Sequence, residues 1–403
     1  MVNTKHDAAS YESCGYQRDI SDGNALYDAF RRAEKGSDWK PQVQRFEMTY
    51  LLGLSEIQGG LQRRDYHFLP SSTFVLNERG KTRFINGEQL PDRIVKHSLC
   101  DEVLSPAVRN FLIYDNGAST KGKGIDFTRR RLLTHLRRYY ARRGSNEGYI
   151  LLVDFSKYYD NILHDALLNI LTQYVSDDCA LWLLHEVLKR AEVDVSYMTD
   201  KEFSLCLFEV FNSLDYMKID KRLLTGAKMM RKHMNIGDQV AQIAGISYPI
   251  PLDNYIKIVK GVHEYARYMD DSYTIHESKM FLEDLAGEVV DVCAKLGIHV
   301  NTRKTRVCKL SDYWRFLQVQ YSLTETGRVI QKINPKRITA MRRKMKKLIY
   351  VLSPKDFTDW YTSWFRAHYQ YMSKLQRENL TTLFNQLKEE QECLPSNSAT
   401  GTS

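Results

Sequence analysis

The order of apolar and polar residues first indicates where the strands lie. Short runs of β-favouring residues at 72–76 and 82–85 are joined by Asn77-Glu-Arg-Gly80, which predicts a β-hairpin. A second hairpin is predicted at 265–276, where two such runs flank a pair of adjacent acids. The most clearly defined strand is Gly148-Tyr-Ile-Leu-Leu-Val153, which stops at Asp154. Weaker strand patterns follow at 298–300 and 313–319.

Helical periodicity dominates the rest of the chain. It predicts helices at 22–35, 92–112, 126–143, most of 164–234, 281–296 and 335–352, and another after Ser353-Pro354. Asp22 and Ser353 are residue types that cap helix N-termini, and Gly297 is typical of a helix end. The sequence therefore predicts an α+β protein.

Length and composition exclude several classes of protein. A chain of 403 residues is expected to form two to four packed units, which excludes a small peptide-like module. Its apolar runs are far shorter than the ~20 residues of a membrane-spanning helix, and the N-terminus lacks a signal-peptide pattern. We therefore expect a cytoplasmic protein without a membrane partner. The seven cysteines show no CxxC spacing, which argues for reduced thiols and against zinc.

Basic residues are concentrated in two segments. The formal net charge is +9, and residues 109–143 carry ten Lys and Arg against two acids. Residues 336–347 carry seven basic residues and no acid, on a helical pattern whose other face is apolar. Each segment alone could be a solvated helix surface. Together they favour two basic surfaces that bind the phosphates of a nucleic acid.

Three aspartates form the candidate site. Asp154 follows the buried strand at 148–153, and Asp270 and Asp271 lie at the turn of the second hairpin. Two adjacent like charges are unfavourable unless a cation neutralises them. Carboxylate oxygens favour Mg²⁺ or Mn²⁺, and a pair of such ions is typical of phosphoryl transfer.

The residues around these aspartates resemble a known family. Tyr268-Met-Asp-Asp resembles the palm signature of reverse transcriptases, and Asp154-Phe-Ser-Lys-Tyr-Tyr-Asp-Asn-Ile resembles the preceding metal-binding motif of bacterial members. Ile236-Gly-Asp-Gln-Val-Ala-Gln242, followed by Pro251-Leu-Asp-Asn-Tyr, is similar to the motif between them that contacts template and nucleotide.

Two further motifs follow in the family's order. Leu296-Gly-Ile-His-Val-Asn-Thr-Arg-Lys-Thr305 resembles the motif after the catalytic hairpin. Trp314-Arg-Phe-Leu-Gln resembles the primer-grip strand, although Gln318 replaces the family's usual glycine. The resemblance covers about residues 68–375.

The resemblance implies a right-hand polymerase fold with an antiparallel palm sheet and an α-helical thumb. Its parts would be an N-terminal extension (1–67), fingers (68–147), palm (148–330, with a helical insertion at about 189–234), thumb (331–392) and a disordered tail (393–403).

The same resemblance implies roles for the residues that match. Asp154 and Asp270 would hold two Mg²⁺ ions, or Mn²⁺, with Asp271 in support and the Phe155 carbonyl as a further ligand. Lys304 would be a general acid near the leaving pyrophosphate. Contacts to the deoxynucleotide would come from Lys81, Arg83, Tyr159 and Gln239, the Tyr159 ring excluding a 2′-hydroxyl. Nucleic-acid contacts would come from Lys121, Lys123, Arg129, Arg130, Gln242, Arg342, Arg343 and Lys346.

Simpler interpretations of some of these residues stay open. Tyr159 could be a core tyrosine, Lys81 and Arg83 a solvent-facing pair, and the two glutamines polar residues at a helix start. Lys121-Gly-Lys-Gly124 lacks the spacing of a P-loop, and we interpret it as a flexible template contact.

The expected function is that of an RNA-directed DNA polymerase acting with deoxynucleotides on an RNA template, in bacterial antiviral defence and with a dedicated noncoding RNA. Alternatives are template-independent or protein-primed DNA synthesis, a diversity-generating or retron-type enzyme, and a non-catalytic RNA-binding protein. A maturase-like role is disfavoured, because no zinc or DNA-binding module follows the thumb. The segment at 189–234 is expected to bind the RNA or a second protein subunit, and a homo-oligomer is a further alternative.

Overall fold

The computed structural model describes residues 19–78 and 81–393, in which helices and strands are mixed. The helices are Gly23–Ala33 (α1), Pro41–Met48 (α2), Tyr50–Arg63 (α3), Leu90–Ser98 (α4), Ser105–Arg109 (α5), Ile125–Arg143 (α6), His164–Leu171 (α7), Asp178–Arg190 (α8), Asp200–Leu205 (α9), Ser213–Tyr216 (α10), Gln239–Ser247 (α11), Ile250–Asn254 (α12), Lys279–Lys295 (α13), Pro335–Leu348 (α14), Pro354–His368 (α15) and Lys374–Cys393 (α16). The strands are Ser72–Glu78 (β1), Lys81–Gly87 (β2), Tyr149–Asp154 (β3), Val193–Asp194 (β4), Met229–Met230 (β5), Tyr265–Tyr268 (β6), Asp271–His276 (β7), Arg306–Lys309 (β8), Trp314–Phe316 (β9), Val319–Leu323 (β10) and Val329–Ile333 (β11). The α+β prediction is confirmed at this level.

Most predicted elements are confirmed within a few residues. Asp22 caps α1 by accepting from the backbone N–H groups of Asn24 and Ala25, and Ser353 caps α15. The helix predicted at 92–112 is α4, a π-helical turn over Leu99–Leu104, and α5. The expected disorder of the tail lies outside the described residues, apart from Cys393 at the end of α16.

The sheet that carries the aspartates has four strands in the order β6-β7-β3-β8. β3 pairs with β8 in an antiparallel register in which Tyr149 faces Lys309. Residues 150–153 of β3 are buried, because side chains on both faces of this inner strand are covered. The buried strand holds Asp154 at a defined point at its end.

The chain divides into two compact units. The first contains the described residues up to Thr128, Val153–Ser272 and Asp284–Thr305. The second contains Arg129–Leu152, Tyr273–Glu283 and the described residues from Arg306 onward. Asp154, Asp270, Asp271 and Lys304 all belong to the first unit.

The second unit contains α14, α15 and α16, where the sequence predicts two helices. The apolar face of α14 buries Met341 and Met345, and Phe357 and Tyr361 of α15 stack on Phe384 of α16. The opposite face of α14 exposes Arg342, Arg343 and Lys346. The helix is therefore amphipathic as predicted.

The helical prediction for 189–234 is wrong. After α8 ends at Arg190, the segment contains the two-stranded sheet β4-β5, the short helices α9 and α10, and irregular backbone. Val193, Val195, Cys206 and Met230 form a small core of their own there, with Tyr197 and Phe211 packed against it. Tyr197 and Phe211 thus pack around a local core and do not extend a helix.

Two strand predictions also need correction. Residues 298–300 contribute only an isolated bridge between Phe155 and Val300. The strand predicted at 313–319 is broken after Phe316, because β9 and β10 form a hairpin whose two turn residues, Leu317 and Gln318, have φ of 42° and 73°. Glycine is favoured where φ is positive, but the Gln318 side chain accepts a hydrogen bond from Arg337. This hydrogen bond explains why Gln318, and not glycine, occupies a position with positive φ.

No helix in the described part of the chain is both long and apolar enough to cross a membrane.

A buried histidine predicts a pH dependence of stability. His164 is fully buried, donates from Nε2 to the His233 carbonyl at 2.7 Å, and burial lowers its pKa to about 4. The unfolded chain, with an ordinary pKa near 6.5, binds a proton over a range in which the folded protein does not. The free energy of unfolding therefore falls as pH falls below about 6.5. His164 contributes about 2 kcal/mol of this loss between about pH 7 and about pH 5.

Urea unfolding at the two pH values measures this effect. The His164→Gln variant should lose this part of the pH dependence, whereas His185→Gln, at an exposed position, should keep it. Equal pH dependence in wild type and His164→Gln would contradict the assignment.

Candidate active site

Asp154 is held at the end of β3 by the segment that follows α13. Its backbone carbonyl accepts from the Asn301 N–H at 2.8 Å, and its Oδ2 accepts from the Asn301 Nδ2 at 3.2 Å. The Lys304 Nζ donates to both Asp154 oxygens, at 2.9 and 3.1 Å. The motif after the catalytic hairpin thus lies directly against the first aspartate.

Asp270 and Asp271 lie at the turn that joins β6 to β7. Met269, the first turn residue, has a φ of 54°, a left-handed conformation that a non-glycine residue adopts at a cost of about 1–3 kcal/mol. Since β7 is the neighbour of β3 in the sheet, the turn and the end of β3 belong to adjacent strands. Strained backbone of this kind is concentrated at functional sites.

Lys304 connects the three carboxylates electrostatically. Its pKa is raised by its hydrogen bonds to Asp154 and by the negative charges of Asp154, Asp270 and Asp271. The structure therefore places all four predicted catalytic residues at one site. The Asp154 side chain is 17% exposed and the Lys304 side chain 58% exposed, so the site opens to solvent.

The metal ligands predicted at this site are carboxylate and carbonyl oxygens. Within residues 19–78 and 81–393, no three His, Cys, Asp or Glu side chains converge closely enough to hold a metal, and the Lys304 ammonium contacts both Asp154 oxygens. The ammonium is itself a cation among three carboxylates. The isolated β-bridge between Phe155 and Val300 is formed by hydrogen bonds of the Ser156 N–H and the Asp154 carbonyl. The Phe155 carbonyl takes no part in this bridge. Carboxylate and carbonyl oxygens are the ligands that Mg²⁺ prefers.

No family model and no curated protein matches this chain. Any function assigned to the chain therefore rests on its own residues and their geometry.

Tyr159 packs against the turn that carries the acids. Its hydroxyl lies 3.5 Å from the Met269 sulfur, and burial, followed by the charge of Asp270, raises its pKa. A Cβ added to Gly245 would lie 2.7 Å from the Tyr159 hydroxyl, so Gly245 leaves room for the ring. The ring is half-buried, so it is more exposed than a core tyrosine and less exposed than a tyrosine on the surface.

The two glutamines lie on the first turn of α11. Asp238 caps this helix by accepting from the Ala241 N–H, Gln239 is half-buried, and Gln242 is exposed within 3.4 Å of the Ser119 hydroxyl. Both glutamines therefore lie at a helix start, and their contacts with nucleotide and template stay predictions. Lys81 and Arg83 lie on β2, and Arg83 faces Leu76 across the hairpin. The Lys81 side chain lies outside what the structure describes.

The predicted template contacts on the first basic segment differ in exposure. Lys121 and Arg130 are exposed, whereas the Lys123 ammonium donates to the Tyr114 carbonyl at 2.6 Å and lies over the Tyr114 and Phe127 rings. This loop therefore holds one lysine in place, contrary to the expected flexible contact.

Arg129 also makes internal contacts. It donates to the Leu317 carbonyl at 2.7 Å and lies over the Tyr371 ring. Both contacts lie within the second unit, where Arg129 supports the β9–β10 turn. These contacts give Arg129 a structural role, and its role as a nucleic-acid contact stays a prediction.

Sequence reasoning missed the group that holds the acidic turn. Arg267, with no exposed surface, pairs with Asp253 through its Nη2 at 2.7 Å and its Nε at 2.9 Å. It also donates to the carbonyls of Ile246 and Met269. An arginine in the otherwise apolar run 265–268 is the signal that could have found it.

Proposed function

We propose that the chain is an RNA-directed DNA polymerase that adds deoxynucleotides by phosphoryl transfer assisted by two Mg²⁺ ions. The observation that carries the proposal is the contact of the Lys304 ammonium with both Asp154 oxygens, beside the charges of Asp270 and Asp271 that help to raise its pKa. Carboxylates from two neighbouring strands and a protonated amine are the groups that this chemistry requires. The motif order in the sequence supports the same conclusion.

Asp154, Asp270, Asp271 and the Phe155 carbonyl would hold the ions. When bound, the ions would activate the primer hydroxyl and stabilise charge on the leaving pyrophosphate. As an ammonium at neutral pH, Lys304 would donate a proton to the pyrophosphate oxygen. Tyr159 limits the space beside the sugar, and Arg267 holds the turn of Asp270 through the Met269 carbonyl.

The exposed basic residues Lys121, Arg130, Arg342, Arg343 and Lys346 would bind template and product through their phosphates. Such contacts tolerate any sequence, as a polymerase requires. We extend the proposal to a cytoplasmic enzyme of bacterial antiviral defence that acts on a noncoding RNA. This extension rests on the motif at 237–242, in which Val240 and Ala241 depart from the Leu-Thr-Ser form associated with diversity-generating enzymes.

Primer extension tests the proposal. With an RNA template, a DNA primer, deoxynucleotides and Mg²⁺, we expect products that are complementary to the template. Products formed equally without template would favour template-independent synthesis. RNA binding without any product under these conditions would favour the non-catalytic alternative.

The Tyr159 ring predicts sugar selectivity. Tyr159→Ala should raise the use of ribonucleotides relative to deoxynucleotides by at least about 10-fold, because a single steric contact is worth that much discrimination. Tyr159→Phe keeps the ring and should leave the ratio unchanged. Competition between the two nucleotides in primer extension measures the ratio, and an unchanged ratio in Tyr159→Ala would refute the role.

A further inference from the structure

Buried charges meet at the base of the β1–β2 hairpin. Lys96 of α4, Glu88 directly after β2, and Asp238 directly before α11 have side chains that are 2%, 4% and 6% exposed. The Lys96 Nζ donates to Glu88 Oε1 and, at 2.8 Å, to Asp238 Oδ2. One ammonium thus joins the end of the hairpin to the start of α11.

The segment that precedes β1 at the same base reaches the same charges. Asp92 of α4 is fully buried and accepts from the Leu69 N–H at 3.1 Å, while Arg190 donates to the Leu69 carbonyl. Arg190 lies 3.7 Å from Asp92, and the Phe68 ring lies below both Arg190 and Lys96. We name Glu88, Asp92, Lys96, Arg190 and Asp238 the hairpin clamp.

Asp238 connects the clamp to the helix that carries Gln239. Its Oδ1 accepts from the Ala241 N–H at 2.5 Å and caps α11, while its Oδ2 accepts from Lys96. A shift of Lys96 therefore moves the cap of α11 and the end of the hairpin together.

Stability alone is a poor reason for this arrangement. Buried ion pairs are often replaced by apolar residues without loss of stability, because desolvation offsets their attraction. The second Glu88 oxygen is buried and has no hydrogen-bond partner among the described residues, which is itself unfavourable. Burial raises the pKa of Glu88, in keeping with this environment. The ion pairs instead fix the positions of α4, the end of β2 and the start of α11 relative to one another.

We propose that the hairpin clamp sets the position of the β1–β2 hairpin relative to α11, with Lys96 as a positioning residue. The effect of the clamp on nucleotide binding rests on the proposed function. In that function, Lys81 and Arg83 of the hairpin and Gln239 of α11 contact the same deoxynucleotide. Loss of the clamp misplaces these contacts and leaves Asp154, Asp270 and Asp271 in place. Nucleotide affinity then falls more than the catalytic rate.

Steady-state kinetics of three variants test this consequence. Lys96→Met should raise the KM for deoxynucleotide by about 10-fold and change kcat by less than about 3-fold, since it removes binding and leaves the chemistry intact. Lys96→Arg should restore most of the affinity, because it keeps the charge. Lys232→Met is the matched control: Lys232 is also fully buried, but it donates to the carbonyls of Leu207 and Glu209, outside the clamp. An unchanged KM in Lys96→Met, or an equal rise in Lys232→Met, overturns the inference.

Hydrogen exchange tests the clamp without enzymatic activity. In Lys96→Met and in Glu88→Gln, amide exchange in 72–87 and in the first turn of α11 should accelerate by about 10-fold, because local opening becomes easier. Lys232→Met should leave both segments unchanged. Faster exchange confined to α4 would overturn the inference. If the wild type makes no DNA, the proposed function fails, while the exchange experiment still decides whether the clamp exists.

Discussion

Replacing Asp270 and Asp271 together with asparagine should reduce DNA synthesis by at least about 1,000-fold, because removal of ion-holding carboxylates withdraws several kcal/mol of transition-state stabilisation. Asparagine keeps the size of each side chain and removes its charge. The two negative charges that help to raise the pKa of Lys304 would disappear as well. Both the cation-binding groups and the proton donor would therefore be affected.

Single-turnover primer extension measures the loss. Asp284→Asn is a suitable control, since Asp284 is an exposed aspartate on α13 and should retain full activity. Unfolding curves of the double variant should match the wild type, which separates a chemical defect from a folding defect. Synthesis that persists in the double variant would refute the proposed site.

Arg267→Met should lower the free energy of unfolding by about 3–5 kcal/mol, because it leaves the Asp253 carboxylate buried without its cation. Asp253 is 1% exposed and also accepts from the Tyr265 hydroxyl at 2.7 Å, a contact that cannot replace a full positive charge. Arg267 is held at the same time by the carbonyls of Ile246 and Met269. The turn of Asp270 would therefore loosen, and DNA synthesis should fall with stability.

Urea unfolding of single and double variants tests this estimate. Arg267→Met combined with Asp253→Leu should be less destabilised than Arg267→Met alone, because no unpaired charge remains. Arg267→Lys should be intermediate, since lysine keeps the charge and loses the guanidinium contacts. A loss below about 1 kcal/mol in Arg267→Met would show that Asp253 is accommodated without its partner, contrary to the usual cost of a buried charge.

Local patterns predicted the elements around the site well. The apolar run before Asp154 and the two runs beside Asp270 are confirmed as β3, β6 and β7. These patterns suffice because alternation and burial act on neighbouring residues of one strand. They failed at 189–234, where a local core takes up the aromatic residues.

The sequence by itself determined the strands beside the three aspartates, most of the helices, and the residue types that suit metal-assisted phosphoryl transfer. Only the tertiary structure placed Lys304 on Asp154, paired Arg267 with Asp253, and joined Lys96 to Glu88 and Asp238. Lys96 and Asp238 are 142 positions apart in the chain. Hydrophobic periodicity reflects contacts within one element, whereas a buried ion pair depends on which elements pack together. For this reason the candidate residues of the site could be found in the sequence, and the groups that position them could not.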